Sequence, residues 1–381
     1  MSQSCAHGVR RITLAACALL LIAVTRGAAA PFAFVPGGGL RGDLSIIDIA
    51  ANQVTATVRF PARLAGVGAD PSGLRAYATR CDDDSVSAVD ALAGAVTTTI
   101  GVGRCPFATT VDPAGARVYV SNHLDNTLPV IDADQARLLA TIPAGVHCPT
   151  VMAIDPSGTR LYLASEVGML SVIDTHTTAV LTTVPVGAIH AGLAINTAGT
   201  RLYITDLIED MLFIIDTRTL TVLSSVPVGP GVYGVVAHPD GVRVYVANSD
   251  DNSVSVVDTR ANTVTTKVPV GQAPNGVAVD PTGQYVYAVN EMSNDVSVVD
   301  TATNTVVATV EVAAAPFVIG QFIAAAPMRA VHAPVLRGGC QLSPSGPAEV
   351  GTPALRLMLL SLVPLVHRAA AGLGQSSADP K

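Results

Sequence analysis

Apolar runs that end in aspartate recur at Asp48, Asp90, Asp132, Asp174, Asp216, Asp258 and Asp300, and every interval is 42 residues. Self-similarity at a fixed period of this length marks a repeat architecture, in which each unit buries its apolar face only against its neighbours. One unit shows what is repeated. Residues 244–248 (VYVAN), 254–258 (VSVVD), 264–270 (VTTKVPV) and 276–280 (GVAVD) are short alternating or β-branched runs, and polar or glycine-containing turns separate them. Four strands in about 40 residues is the pattern of a propeller blade. A helical solenoid would need 3.6-residue spacing, which is absent.

The strand types assign positions within the blade. The small, apolar fourth run suits an innermost strand at a crowded axis, and the Val/Thr-rich third run suits an outer edge half in water. Asp-Pro-x-Gly recurs at Asp70, Asp112, Asp155 and Asp280, with variants at Asn196 and His238. In such a tight turn Asp accepts from turn amides, Pro sets φ and Gly tolerates a positive φ. The strand-ending aspartates are read in the same way, as caps on the following turn. The register slips once: the loop holding His147 gains a residue, and the turn at Val167 and Gly168 loses one.

Residues 32–35 (FAFV) match a second strand and residues 317–322 (FVIGQF) match a first. Joined, they make one blade from both ends of the repeat region, which seals the ring and hides its edges. The expectation is an all-β, seven-bladed β-propeller over residues 31–325. Each blade has four antiparallel strands, and the closing blade is shared by the N- and C-terminal strands.

The ends are read as processing and sorting segments. Arg10 and Arg11, an apolar run over 12–24 and the small residues 27–30 make residues 1–30 a secretory signal peptide. Residues 326–352 form a linker, and 353–381 a mildly hydrophobic tail. Gly338-Gly339-Cys340, spacer, apolar run and basic end resemble a bacterial C-terminal sorting segment, an order that permits membrane association. The expected location is therefore exported: periplasm, cell surface or extracellular. The net charge of −7 provides no basic stripe to neutralise phosphates, which excludes nucleic acid as a partner.

Tyr-Val-Ala-Asn (245–248), Tyr-Val-Ser-Asn (119–122), Ser-Val-Val-Asp-Thr and Val-Pro-Val-Gly resemble the YVTN-type β-propeller repeats of bacterial and archaeal envelope proteins. The resemblance runs from about Phe32 to Phe322. It implies a surface-layer-like or adhesion-like role, and it is shared with domains of some propeller enzymes.

Aligned by register, the crossover loops carry Arg104, His147, His190, Tyr233 and Asn275 toward the axis, one per successive blade. Polar side chains converging on a central funnel would make a ligand site. His147 and His190 could share a metal, but no third ligand accompanies them, so no metal set is assigned. The turns on that face are acidic (residues 82–84, Asp125, Glu209, Asp210, Asp250, Asp251, Asp295) and are read first as structural. Arg41-Gly42-Asp43 spells an integrin-type tripeptide, too short to carry weight. With the signal removed, Cys81, Cys105, Cys148 and Cys340 remain, in a compartment where thiols oxidise. The favoured disulfide is Cys81–Cys105, and Cys105–Cys148 is the rival. No haem-attachment, zinc-protease, nucleophile-elbow or phosphate-loop motif is present, and nothing calls for a cofactor. The reading is a non-enzymatic binding or scaffold module for a protein or small-molecule partner at the envelope. The alternatives are a propeller enzyme, lactonase-like or amine-dehydrogenase-like, that uses the funnel, and a structural coat or adhesin.

Overall fold

The computed structural model describes residues 32–39 and 42–324. Residues 1–30, read as a signal peptide, Arg41, and residues 326–381, read as a linker with Cys340 and a tail, lie outside the described residues. Among those described, no helix is long and apolar enough to cross a membrane.

Seven antiparallel sheets follow one another along the chain. Blade 1 takes its second, third and outer strands from Phe32–Gly37, Asp43–Asp48 and Gln53–Arg59. Blades 2 to 7 span 67–101, 106–143, 149–185, 190–227, 232–269 and 274–311, each with four strands in sequence order from the axis outward. The segment after blade 7 returns to the inner edge of blade 1, where Phe34 N donates to Phe322 O (2.9 Å) and Phe317 N donates to Pro36 O (3.0 Å). Both chain ends thus build one blade, and the fold is a seven-bladed β-propeller. Every blade carries the same register shift between its third and outer strands, as at Val256/Val257 and Val298/Val299. Such bulges increase twist and splay the outer edge as a disk requires.

The second strand from the axis, which is the first run of the repeat as read from the sequence, supplies the largest fully buried side chains, Tyr77, Tyr162, Tyr203, Tyr245 and Tyr287. These pack between blades with the Val, Ile and Leu of the third strands. Neighbouring blades are also stitched by arginine: Arg75, Arg117, Arg201 and Arg243 each donate to a backbone carbonyl 58 residues ahead, in the following blade. All seven strand-ending aspartates accept two turn amides two and three residues on, as Asp300 does from Ala302 N (2.9 Å) and Thr303 N (2.8 Å). These backbone donors hold the Asp174, Asp216, Asp258 and Asp300 carboxyls below their ordinary range. The recurrent aspartate is a turn cap repeated seven times, not a charge ring.

At the axis, inner strands run so close that side chains are excluded at chosen points. A Cβ at Gly192 would press against the Tyr233 carbonyl of the next blade. This close approach explains the small, apolar fourth run of each repeat.

Candidate functional site

Each inner strand begins at a crossover loop and ends at an Asp-Pro-x-Gly-type turn, so the two loop classes lie on opposite faces of the disk. The crossover face also holds the turns between second and third strands, whose side chains tie it together. Asp84 Oδ1 accepts from Cys105 N (2.6 Å), Asn126 Oδ1 from Cys148 N (2.9 Å), Asp210 Oδ1 from Gly231 N (2.8 Å) and Asn252 Oδ1 from Ala273 N (2.8 Å). Much of the acidity and amide content of these turns is spent on the loops.

The five funnel residues expected from register fare differently. Arg104 and His147 are exposed. His190 is 1% exposed, with Nδ1 accepting from Ser165 N (3.4 Å) and Nε2 donating to the Val186 carbonyl, and burial pulls its pKa down. Tyr233 is buried edge-on to Phe317, with centroids 6.2 Å apart. Its burial and the nearby Glu291 and Asp250 carboxylates push its hydroxyl up to about 12. Asn275 is locked by Pro316 O (2.8 Å) and Val318 N (3.2 Å). Among the described residues no hydrogen bond or ion pair joins any two of the five. Three of the five are already engaged in contacts within and between blades.

Two other features stand out. The first is an axial cavity of about 420 Å³ at the opposite face. Its mouth is ringed by the turn residues Pro71, Pro113, Pro156, Thr197 and Pro239, and its wall is Val, Ala, Ile, Leu and Met from successive inner strands. Among its polar side chains, Asn196 and Asp280 are occupied by their own turns, whereas Thr110, Thr197 and Gln321 make no hydrogen bond among the described residues. The Asp-Pro-x-Gly prolines carried this signal in the sequence, where they read only as turn formers.

The second lies on the crossover face at the seam of blades 3 and 4. His123, Cys148 and Glu166 each offer a ligand atom within 4.8 Å of the others. His123 follows the second strand of blade 3, Glu166 follows that of blade 4, and Cys148 opens blade 4's inner strand. The His123 side chain is 3% exposed; its Nε2 is 3.7 Å from Glu166 Oε2, and its Nδ1 has no partner. Burial alone holds the imidazole down to about 4 and pushes the Glu166 carboxyl up to about 7. Burial raises the Cys148 thiol too, with the Glu166 charge adding to it. At neutral pH this is a neutral imidazole, a thiol and a partly protonated carboxyl. It is not the thiolate–imidazolium pair that cysteine nucleophiles use. Cys81 and Cys105 are joined by a disulfide, and Cys148 is a free thiol.

A family model described as "Lactonase, 7-bladed beta-propeller" matches residues 194–316. The match runs from the inner strand of blade 5 to the closing segment and leaves His123, Cys148 and Glu166 outside it. No curated protein matches the chain. Among solved structures, Kuenenia stuttgartiensis hydrazine synthase superposes with a TM-score of 0.64 at 20% identity, over 74% of this chain and 99% of that one. Dihydro-heme d1 dehydrogenase NirN, in complex with DHE, superposes with a TM-score of 0.58 at 17% identity, over 74% of this chain and 63% of that one. At these identities the likeness shows the fold alone.

Proposed function

We propose that this chain is an exported binding propeller of the cell envelope that takes a small, largely apolar ligand into its axial cavity. The carrying observation is the cavity itself: about 420 Å³, walled by aliphatic side chains, with unengaged hydroxyl and amide groups at Thr110, Thr197 and Gln321. A concave apolar site with a few polar groups to orient the guest is the usual form of a small-molecule site. Export is supported by the signal-like residues 1–30 and by the Cys81–Cys105 disulfide, which persists in oxidising compartments. The resemblance to YVTN-type repeats supports a place at the envelope.

The test uses the apolar fluorophore N-phenylnaphthylamine with the purified chain. Saturable binding of one equivalent is expected, weakened at least about tenfold by Thr197→Trp at the mouth and by Ala191→Phe in the wall. Binding that is not saturable, or that ignores both substitutions in folded protein, sinks the reading.

The lactonase-type match favours a hydrolase as the second reading. Its difficulty is chemical. His238, the one histidine in the matched stretch, has Nε2 on Gly283 O (2.6 Å) and Nδ1 accepting from Asp240 N (3.1 Å). Both nitrogens hold turns and neither is offered to a substrate. Turnover of a simple lactone that Thr197→Trp abolishes would favour this reading over passive binding.

A further inference from the structure

We propose that His123, Cys148 and Glu166 form a divalent transition-metal site of the zinc class, separate from the axial cavity and on the opposite face of the disk. Cys148 precedes the inner strand Pro149–Ile154, whereas the cavity-mouth residue Pro156 follows it. The two sites therefore sit at opposite ends of one strand.

Three observations carry the assignment. The ligand atoms come from three chain segments and meet within 4.8 Å. A tetrahedral ion with bonds of about 2.0–2.3 Å sets its ligands roughly 3.5 Å apart, so rotamer adjustments of about 1 Å complete the set. Next, the imidazole is almost wholly buried with an unpartnered Nδ1, and no N–H or O–H among the described residues is bonded to the Glu166 carboxyl. Buried polar groups without partners cost stability, and one cation would engage one imidazole nitrogen, the carboxyl and the thiol together. Finally, the repeat does not require these residue types. The same turn position holds Leu207, Ser249 and Glu291 in blades 5 to 7, and the crossover residues that face them are Ile189, Gly231 and Ala273. A His–Glu–Cys triad is a chemical set in a place where the fold accepts nearly anything.

The donor types select the ion. A thiolate with an imidazole excludes magnesium and calcium, which take oxygen, and suits zinc or cobalt(II). Three protein ligands leave a fourth position for water or a ligand, the coordination of a zinc that is not purely structural.

The full chain, stripped with chelator and titrated with Zn²⁺ and with Co²⁺, tests this. One equivalent is expected, with a thiolate-to-cobalt charge-transfer band that Cys148→Ser removes. His123→Asn and Glu166→Gln should each weaken binding at least about 100-fold. Wild-type protein provides a reading independent of variant folding: bound Zn²⁺ should slow iodoacetamide labelling of Cys148, followed by peptide mass. No stoichiometric ion, a cobalt spectrum without the thiolate band, or unchanged Cys148 labelling would overturn the site. The fluorophore binding at the axial cavity is a separate measurement and survives or fails on its own.

Discussion

Cys148 and His123 occupy the same two positions of the repeat that the disulfide-bonded Cys105 and Cys81 occupy one blade earlier. His123 lies 42 residues after Cys81, and Cys148 lies 43 after Cys105 because of the one inserted residue. The backbone agrees. Cys105 and Cys148 both adopt positive φ (55° and 46°), and both amides are held by a carboxylate or amide oxygen of the preceding blade's turn. What is a covalent staple between blades 2 and 3 is an imidazole–thiol pair between blades 3 and 4.

The equivalence predicts that His123→Cys forms a second disulfide with Cys148. A loop of this length gives about 3 kcal/mol in the chain-entropy model. The expected outcome is loss of the Cys148 free thiol on air oxidation and a higher urea midpoint than the same variant in reductant. A thiol that stays reactive would mean that the two seams differ in geometry.

The buried pair His123 and Glu166 sets a distinctive pH dependence in metal-free protein. The native chain refuses a proton at His123 down to about pH 4, whereas the unfolded chain takes one below 6.5. That contribution to stability therefore rises with pH between those values and is complete above them. Glu166 acts oppositely: the native chain keeps a proton up to about pH 7 that the unfolded chain releases above 4.5, so its contribution falls across that window. The two offset each other over most of their range. Glu166→Gln removes the falling limb, so its urea midpoint should climb from pH 4 to 6.5 and then level, while wild type stays flatter and declines toward pH 7. Parallel profiles would show that Glu166 titrates normally.

Most of the fold was legible because a propeller repeats its physics. The aspartate caps, the Asp-Pro-x-Gly turns and the small inner strand each recur, and repetition separates signal from chance. Closure was legible too, because Phe32 and Phe322 fall on complementary strand positions. The cavity and the His123 cluster were less legible, because register alignment averages over the places where one blade departs from the others. His190 and Asn275 align with funnel positions, yet their nitrogens and oxygens are consumed by backbone within a few ångströms. The cluster at His123 had a readable signal in the cysteine register, but comparing Cys105 with Cys148 alone suggested a disulfide between them. Comparing each with its turn partner leads to His123. The axial cavity was legible only in its rim, the Asp-Pro-x-Gly prolines, because its volume depends on ring diameter, which no local pattern encodes.

The broken repeat at blade 4 makes its own prediction. Gly168 (φ 68°) fills the left-handed turn position that Asn126 fills in blade 3, but it has no side chain to cap the next crossover. Asp206 takes over, accepting from the amides of Ala188 and of Ile189 (3.1 Å). A Cβ at Gly168 would meet the Gly187 and Ala188 carbonyls. Gly168→Ala should therefore cost about 1–3 kcal/mol, from positive φ and collision together. Asp206→Ala should cost at least as much, because its carboxylate also accepts from Ile208 N and Glu209 N and the change leaves four amides unpaired. Urea midpoints within error of wild type for both would mean that this crossover needs no support.

Ring closure rests on Tyr287 without the arginine that reinforces four other seams. Its hydroxyl faces Ile49 O (3.1 Å) and Asn52 Oδ1 (3.2 Å) across the junction of blades 7 and 1. At four other seams an arginine two residues earlier makes the stitch: at blade 6, Arg243 reaches Thr301 O and also bonds the Tyr245 hydroxyl. Blade 7 has Tyr285 at that position, so no arginine backs up the phenol. Tyr287→Phe should then cost about 1–2 kcal/mol, whereas Tyr245→Phe, with Arg243 still bonded to Thr301, should cost about half as much or less. The loss at Tyr287 should also concentrate at the closing blade, appearing as faster amide exchange at Phe34 and Phe317 before the rest of the ring responds. Equal costs for the two substitutions, or exchange that rises uniformly around the ring, would show that the closing seam is no weaker than its neighbours.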